Sequence, residues 1–259
     1  MSSTNRPNPA DPTTPATDTA ERPRPRPTVV LVHGAFADAS SWSGTIRRLH
    51  HAGHRVIAPA NPLRGLSGDA AYLRGILATL EGPVVLVGHS YGGAVISSAA
   101  VGNSQVRALV YIAAFTPDRG ESALELSGKF PGSTLGETVQ ELPYPLPEGS
   151  GTELVIDRAK FPGQFAADVP LADAAVLAAT QRPVATAALE EAAGDAAWKA
   201  IPSWALIAAA DKNIPPAAVR WMAERAGSHI TEVDASHAVP VSRPDAVARV
   251  VLDAIDSTC

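Results

Sequence analysis

Three side chains in this sequence could together supply a nucleophile, a base and an orienting acid: Ser90, His237 and Asp211. Ser90 lies in Gly88-His89-Ser90-Tyr91-Gly92, directly after the apolar run Val84-Val85-Leu86-Val87 and before small residues, Ala94 to Val101, that suit a helix. A strand that turns sharply into a helix leaves the serine at the tip in a strained conformation. It also demands tiny residues two places either side, because the two backbones nearly touch there. The N-terminus of the helix then offers free N–H groups to developing negative charge. A serine hydroxyl is a poor nucleophile near neutral pH, so it needs a histidine to take its proton and a carboxylate to fix the imidazole's tautomer. Ser90 is thus read as the nucleophile, His237 as general base and then acid, and Asp211 as the orienting carboxylate. The chemistry would be attack on a carbonyl through a tetrahedral oxyanion and an acyl intermediate. Two backbone N–H groups are assigned to the oxyanion hole: that of Tyr91, directly after the serine, and that of Ala35, after His33-Gly34. Phe36 is a weaker second donor. Gly34 lets the backbone approach, and His33 is read as a brace for its loop. Only neutral imidazole accepts a proton, so activity is expected to fall toward acid pH.

Asp118, in Thr116-Pro117-Asp118-Arg119-Gly120, is the rival acid, although its flanks could equally make a tight turn. Asp211 could instead cap the helix that starts near Pro215. His50, His51 and His54 have no acid or cysteine cluster beside them and read as solvated surface, so no metal and no cofactor are expected.

The elements that must position these groups follow from the apolar pattern. Thr28–Val32 reads as a buried strand. A helix follows it, capped at Ser40 or Ser41, with Trp42, Ile46 and Leu49 on one face. Arg55–Ala58 is a strand closed by Pro59, and Asn61–Gly68 a loop. Asp69 caps a helix to about Leu80, and Val106–Ala114 is a β-branched strand. From Phe115 to about Gly194 the chain is rich in Gly and Pro and weakly periodic, with a mostly helical stretch at Ala172–Ala193 broken by Pro183. Regularity returns in the strand Ser203–Ala209, the helix Pro215–Ala226, the strand His229–Val233 and a last helix Pro244–Asp256. That helix buries Val247, Val250, Val251 and Ile255. Strands alternating with helices predict an α/β fold with a doubly wound, mostly parallel sheet and an insertion after the strand ending near Ala114. In such sheets reactive groups gather at the carboxyl ends of strands, where His33, Ser90, Asp211 and His237 all stand.

The chain has 259 residues, of which 46% are hydrophobic, enough for one well-buried core. Residues 1–27 are the exception. Pro7, Pro9, Pro12, Pro15, Pro23, Pro25 and Pro27 stand among Ser, Thr, Asp and Arg. So little apolar surface cannot offset the entropy of ordering, and the stretch reads as a disordered tail without the apolar core of a signal peptide. Residues 28–259 then form one domain, with a lid of about 116–194 carrying Leu124, Leu126, Phe130, Leu142, Tyr144, Leu146, Phe161 and Phe165. The net charge of −5 and the lack of a basic patch speak against nucleic acid, and no run of about 20 apolar residues speaks for a membrane span. The single cysteine, Cys259, cannot form an internal disulfide. A cytoplasmic location is expected.

These features together resemble the α/β-hydrolase superfamily, and within it the branch of plant methyl-salicylate esterases and hydroxynitrile lyases with their bacterial esterase-like relatives. The resemblance runs from Thr28 to the end. It rests on Leu31-Val32-His33-Gly34-Ala35, Gly88-His89-Ser90-Tyr91-Gly92-Gly93, Tyr111-Ile112-Ala113-Ala114-Phe115-Thr116-Pro117-Asp118, Asp211-Lys212-Asn213-Ile214-Pro215 and Ser236-His237. In that branch the acid lies in the Asp-Lys-x-Ile-Pro segment, which favours Asp211 over Asp118. The lyases carry Thr where Gly34 stands and Lys where Ala238 stands, so the resemblance implies the esterase side. Tyr91 replaces a smaller Leu or Cys and is expected to narrow the acyl side of the pocket. The expectation is a cofactor-free serine esterase acting on carboxylic esters of small apolar molecules. Its partner would be a small-molecule ester, with a homodimer left open. The alternatives are a ligand-binding sensor on the same scaffold, or the same triad turned on a thioester, a lactone or a carbon–carbon bond.

Overall fold

The computed structural model describes residues 1–4 and 26–259, so the tail expected over 1–27 falls almost wholly outside the described residues. The strands are β1 Thr28–Val32, β2 Arg55–Ile57, β3 Val84–His89, β4 Val106–Ile112, β5 Val139–Pro145, β6 Ser150–Ile156, β7 Val184–Ala185, β8 Ser203–Ala208 and β9 His229–Val233. The α-helices are α1 Ser43–His51, α2 Leu66–Leu77, α3 Tyr91–Ala99, α4 Ala123–Gly128, α5 Phe161–Phe165, α6 Leu171–Thr180, α7 Thr186–Glu190, α8 Pro216–Arg225, α9 Val239–Ser242 and α10 Pro244–Thr258.

Six strands form a parallel sheet in the order β2-β1-β3-β4-β8-β9. Side chains alternate across a strand, and a sheet covered on both faces makes its strands continuously apolar. In β1, Val30 and Val32 join the core shared with α2, α3 and α8, while Val29 and Leu31 join the core shared with Trp42, α1 and α10. The stripe expected on the last helix is buried as expected, at Val247, Val250, Val251 and Ile255.

Strand β4 pairs directly with β8, so the chain between Ile112 and Ser203 leaves the sheet and returns to it. This excursion contains α4 to α7 and a small antiparallel sheet in the order β5-β6-β7. The mostly helical reading of Ala172–Ala193 breaks at Gln181, where ψ turns to 137°, and Val184–Ala185 pairs with β6 instead. The β5–β6 hairpin was not legible: β5 is largely exposed and β6 mostly half-buried, so neither carries the clear alternation that full burial of one face imposes.

Three local expectations are corrected. The first turn after β1 is capped by Asp38, whose carboxylate accepts from the Ser40 N–H, rather than by Ser40 or Ser41. Helix α2 begins at Leu66, inside the expected loop. Its cap is Gly65, so Asp69 lies in its first turn, buried, and serves another purpose described below. The helix after Ser90 begins at once, at Tyr91, because the serine itself is its boundary residue.

Candidate active site

Ser90 occupies the turn between β3 and α3 with φ 53° and ψ −124°, a region that L-residues other than Gly rarely adopt. Packing holds it there. The Ser90 N–H donates to the Ile112 carbonyl (3.2 Å), and the Ser90 carbonyl accepts from the N–H groups of Gly93 (3.0 Å) and Phe115 (3.1 Å). The glycines permit this approach. A Cβ on Gly88 would lie 2.5 Å from the Gly92 carbonyl oxygen, as the strand-to-helix contact requires, whereas a Cβ on Gly92 would strike the Val32 carbonyl of β1. A Cβ on Gly34 would lie 2.6 Å from Ser90 Cβ and 3.1 Å from its Oγ. Gly34 therefore lets its loop close on the serine itself.

Asp211 and His237 follow β8 and β9. His237 Nδ1 and Asp211 Oδ2 are 2.6 Å apart, and both side chains are buried. Asp211 Oδ1 accepts from the N–H groups of Asn213 (2.7 Å) and Ile214 (3.1 Å), so the carboxylate is saturated on the side away from the histidine. A carboxylate held by two amides can accept only an N–H from the imidazole, which puts the proton on Nδ1 and leaves Nε2 as the basic nitrogen. Asp118 is elsewhere: it pairs with Lys199, accepts from the Arg119 N–H (2.6 Å) and is held below its ordinary range by that lysine.

The loop of His237 is tied to the serine turn through His89. Its Nε2 lies 2.9 Å from the His237 carbonyl oxygen, and because a carbonyl only accepts, the ring carries its proton on Nε2. Burial, and then the neighbouring His237, push the acidity of His89 far toward the neutral form. The two rings are 4.7 Å apart, and Phe165 closes edge-on over His237 at 4.9 Å. From the excursion side, the Phe165 carbonyl accepts from the Ala238 N–H (2.9 Å), and Asp168 Oδ1 accepts from the Ser236 hydroxyl (2.5 Å). Sequence reasoning passed over His89 and Asp168, and placed Phe165 only among the apolar residues of the lid. The variable position of the serine motif held the only signal, a histidine where no side chain is required.

His33 is engaged at both nitrogens. Nδ1 donates to the Gly34 carbonyl (2.9 Å), and Nε2 accepts from the Asn61 N–H (2.9 Å). It braces the loop that carries Ala35, and burial pushes it toward the neutral form. The Phe36 N–H is occupied by the Arg182 carbonyl (3.1 Å). The N–H groups of Ala35 and Tyr91 have no acceptor among the described residues. The Tyr91 hydroxyl donates to Asp69 Oδ2 (2.9 Å), which pins the phenol beneath the site, and burial pushes the Asp69 carboxyl up.

Ser90, Tyr91, Ala35 and Phe36 open onto a cavity of about 210 Å³. Its remaining walls are mostly apolar: Phe115, Leu124, Leu135, Val139, Leu154, Leu189 and Ile214, several of them from the excursion. Of the apolar residues expected over the strand ends, Leu124 lines this cavity, Leu126, Phe161 and Phe165 are buried in the core, and Leu142 and Leu146 face outward. Phe130 packs on Trp221 (6.1 Å), and Tyr144 lies under Arg64 (4.6 Å).

A sequence profile described as the alpha/beta hydrolase family matches residues 29–250. The chain belongs to the alpha/beta hydrolase family. It is 39% identical to the carbendazim hydrolyzing esterase of Nocardioides sp. (strain SG-4G) over 113 residues, 39% of this chain and 47% of that protein. It is 33% identical to the alpha-hydroxynitrile lyase of Arabidopsis thaliana over 103 residues, 34% of this chain and 40% of that one. Each of these matches spans less than half of the relative's length. In three dimensions the chain resembles polyneuridine aldehyde esterase with a TM-score of 0.77 and 21% identity, over 88% of this chain and 99% of that one. These relatives fall in the branch that the motifs suggested.

Proposed function

We propose that this alpha/beta hydrolase is a carboxylic ester hydrolase acting on small, largely apolar esters, with Ser90, His237 and Asp211 as its triad. The observation that carries the reading is the combination at one edge of the sheet. A strained serine and two vacant N–H groups open on the same apolar cavity, and a buried histidine–carboxylate pair is bonded to the serine's neighbour His89. Ser90 Oγ attacks the ester carbonyl as His237 Nε2 takes its proton. The N–H groups of Ala35 and Tyr91 receive the oxyanion, a geometry worth about 10²–10³ in kcat per donor in comparable sites. His237 returns the proton to the departing alcohol and then activates the water that frees the acid. The excursion between β4 and β8 serves as the lid, and the domain spans 28–259. The name of the carbendazim hydrolyzing esterase agrees with this reading, and the family resemblance, with Gly34 and Ala238 at the positions read as Thr and Lys in the lyases, supports the esterase side.

The test is hydrolysis of p-nitrophenyl esters of graded acyl length by the wild type and by Ser90→Ala. Loss of activity by several orders of magnitude in the variant is expected. Equal turnover by both proteins would remove Ser90 as the nucleophile.

A further inference from the structure

The cavity contains one hydrogen-bond donor that the triad and the oxyanion hole do not use. Its polar side chains, apart from Ser90 and Tyr91, whose hydroxyl donates to Asp69, are Ser127, Ser133 and Asn213. The serines have spent their protons: Ser127 donates to the Leu124 carbonyl (2.8 Å) and Ser133 to the Asn213 carbonyl (2.9 Å). Asn213 differs. Gln164 Nε2 donates to the Lys212 carbonyl (2.9 Å), which fixes the orientation of the Gln164 amide, since its oxygen could not face a carbonyl. That same Nε2 lies 2.8 Å from Asn213, so the atom facing it must be the acceptor Oδ1. The Asn213 Nδ2 therefore points the other way, with both hydrogens lacking an acceptor among the described residues. The residue is only 2% exposed. Backbone bonds at both ends, N–H to Asp211 and carbonyl from Ser133, leave it little freedom to turn.

An amide donor on the wall of an apolar cavity, without a protein acceptor, favours a ligand group that satisfies it over one that leaves it unmatched. We propose that Asn213 Nδ2 is a substrate anchor, and that the preferred substrates carry a carbonyl-type acceptor at a second position, in an otherwise apolar ester. This rests on the ester-hydrolase reading for the reacting end, while the anchor itself is a binding property.

The experiment measures binding without turnover. In Ser90→Ala, dissociation constants are determined by calorimetry for p-nitrophenyl alkanoates. Matched esters with a ketone at successive carbons of the acyl chain, or of an alkyl alcohol, complete the series. One ketone position should bind roughly fivefold tighter than its alkyl match, the worth of one neutral hydrogen bond. The preference should vanish in Ser90→Ala/Asn213→Ala. In Ser90→Ala/Asn213→Asp, which keeps an oxygen toward Gln164 and replaces the donor with an acceptor, it should reverse. That second variant decides the matter if the alanine variant does not fold. No ketone position binding tighter than its match, or a preference that survives both variants, overturns the anchor. Ketone-selective binding with no ester hydrolysis by the wild type would leave the anchor standing and overturn the hydrolase reading. Hydrolysis of every ester without ketone selectivity would do the reverse.

Discussion

Gly34→Ala is the smallest change that should disable the site without touching any reacting group. The added Cβ would stand 2.6 Å from Ser90 Cβ, 2.7 Å from the His89 carbonyl oxygen and 3.1 Å from Ser90 Oγ. None of these neighbours is the loose end of a flexible side chain. Ser90 is locked at φ 53° by three backbone hydrogen bonds, and the His89 carbonyl belongs to β3. Relief thus requires the two loops to part by roughly half an ångström, a mild overpacking that costs on the order of 1–3 kcal/mol of stability. In the proposed mechanism the same displacement moves the Ala35 N–H away from the oxyanion formed at Ser90. Misplacement on this scale, or loss of one oxyanion donor, costs about 10²-fold in rate. Ester hydrolysis by Gly34→Ala should therefore fall about 10²-fold in kcat with a smaller change in KM, since the donor acts on the transition state. Steady-state kinetics on p-nitrophenyl butyrate and urea denaturation would measure the two effects. A variant that keeps kcat within threefold of wild type while folding normally would refute the claim that Gly34 sets the distance between the Ala35 loop and the nucleophile.

Asp211→Asn should lower kcat by about 10³–10⁴-fold by spoiling the imidazole tautomer, whereas Asp118→Ala should leave it within threefold; the reverse ranking in a kinetic comparison would move the acid to Asp118. Asp168→Ala frees the Ser236 hydroxyl that anchors the residue before His237. It should cost about tenfold in kcat, with Ser90 still the residue that a fluorophosphonate probe modifies, and an unchanged kcat would remove Asp168 as a positioning residue. His89 is buried neutral, so below the ordinary histidine value of 6.5 the unfolded chain binds a proton that the folded one refuses. Its contribution to stability is full above that value and is lost as pH falls through it, at about 1.4 kcal/mol per pH unit. The same displacement acts in the same direction at His33. Urea midpoints at pH 7.5 and 5.5 should show wild type losing more than His89→Gln, which keeps a donor to the His237 carbonyl. Equal losses would show that His89 is not the group responsible.

Much of the fold could be read in the sequence because parallel, doubly covered strands are apolar on both faces. Val29 to Val32 and Val84 to Val87 announce themselves without any knowledge of their partners. The positions of Ser90, Asp211 and His237 followed from the strand ends, and the structure brings Asp211 and His237 into contact and ties the His237 loop to the serine turn. What stayed hidden depends on contacts between distant segments. Asp69 reads as a helix cap because Asp is a good cap, but it lies inside α2, where Oδ1 accepts from the Arg64 N–H (3.2 Å) and Oδ2 from the Tyr91 hydroxyl, a partner that only the packing of α2 on α3 supplies. Gln164 and Asp168 sit in a stretch with little periodicity, and their roles come from reaching the loops after β8 and β9. The Arg182 carbonyl that occupies the N–H of Phe36, the weaker candidate donor, carries no sequence signature either.

The central claim is that Ser90 is an activated nucleophile. The most direct measurement is intact-mass and peptide mapping of the wild type and Ser90→Ala after brief exposure to a fluorophosphonate. A single adduct on the peptide containing Ser90, absent from the variant and much slower to form in His237→Ala, is the predicted result. No adduct on the wild type, or an adduct that persists in Ser90→Ala, would contradict the claim.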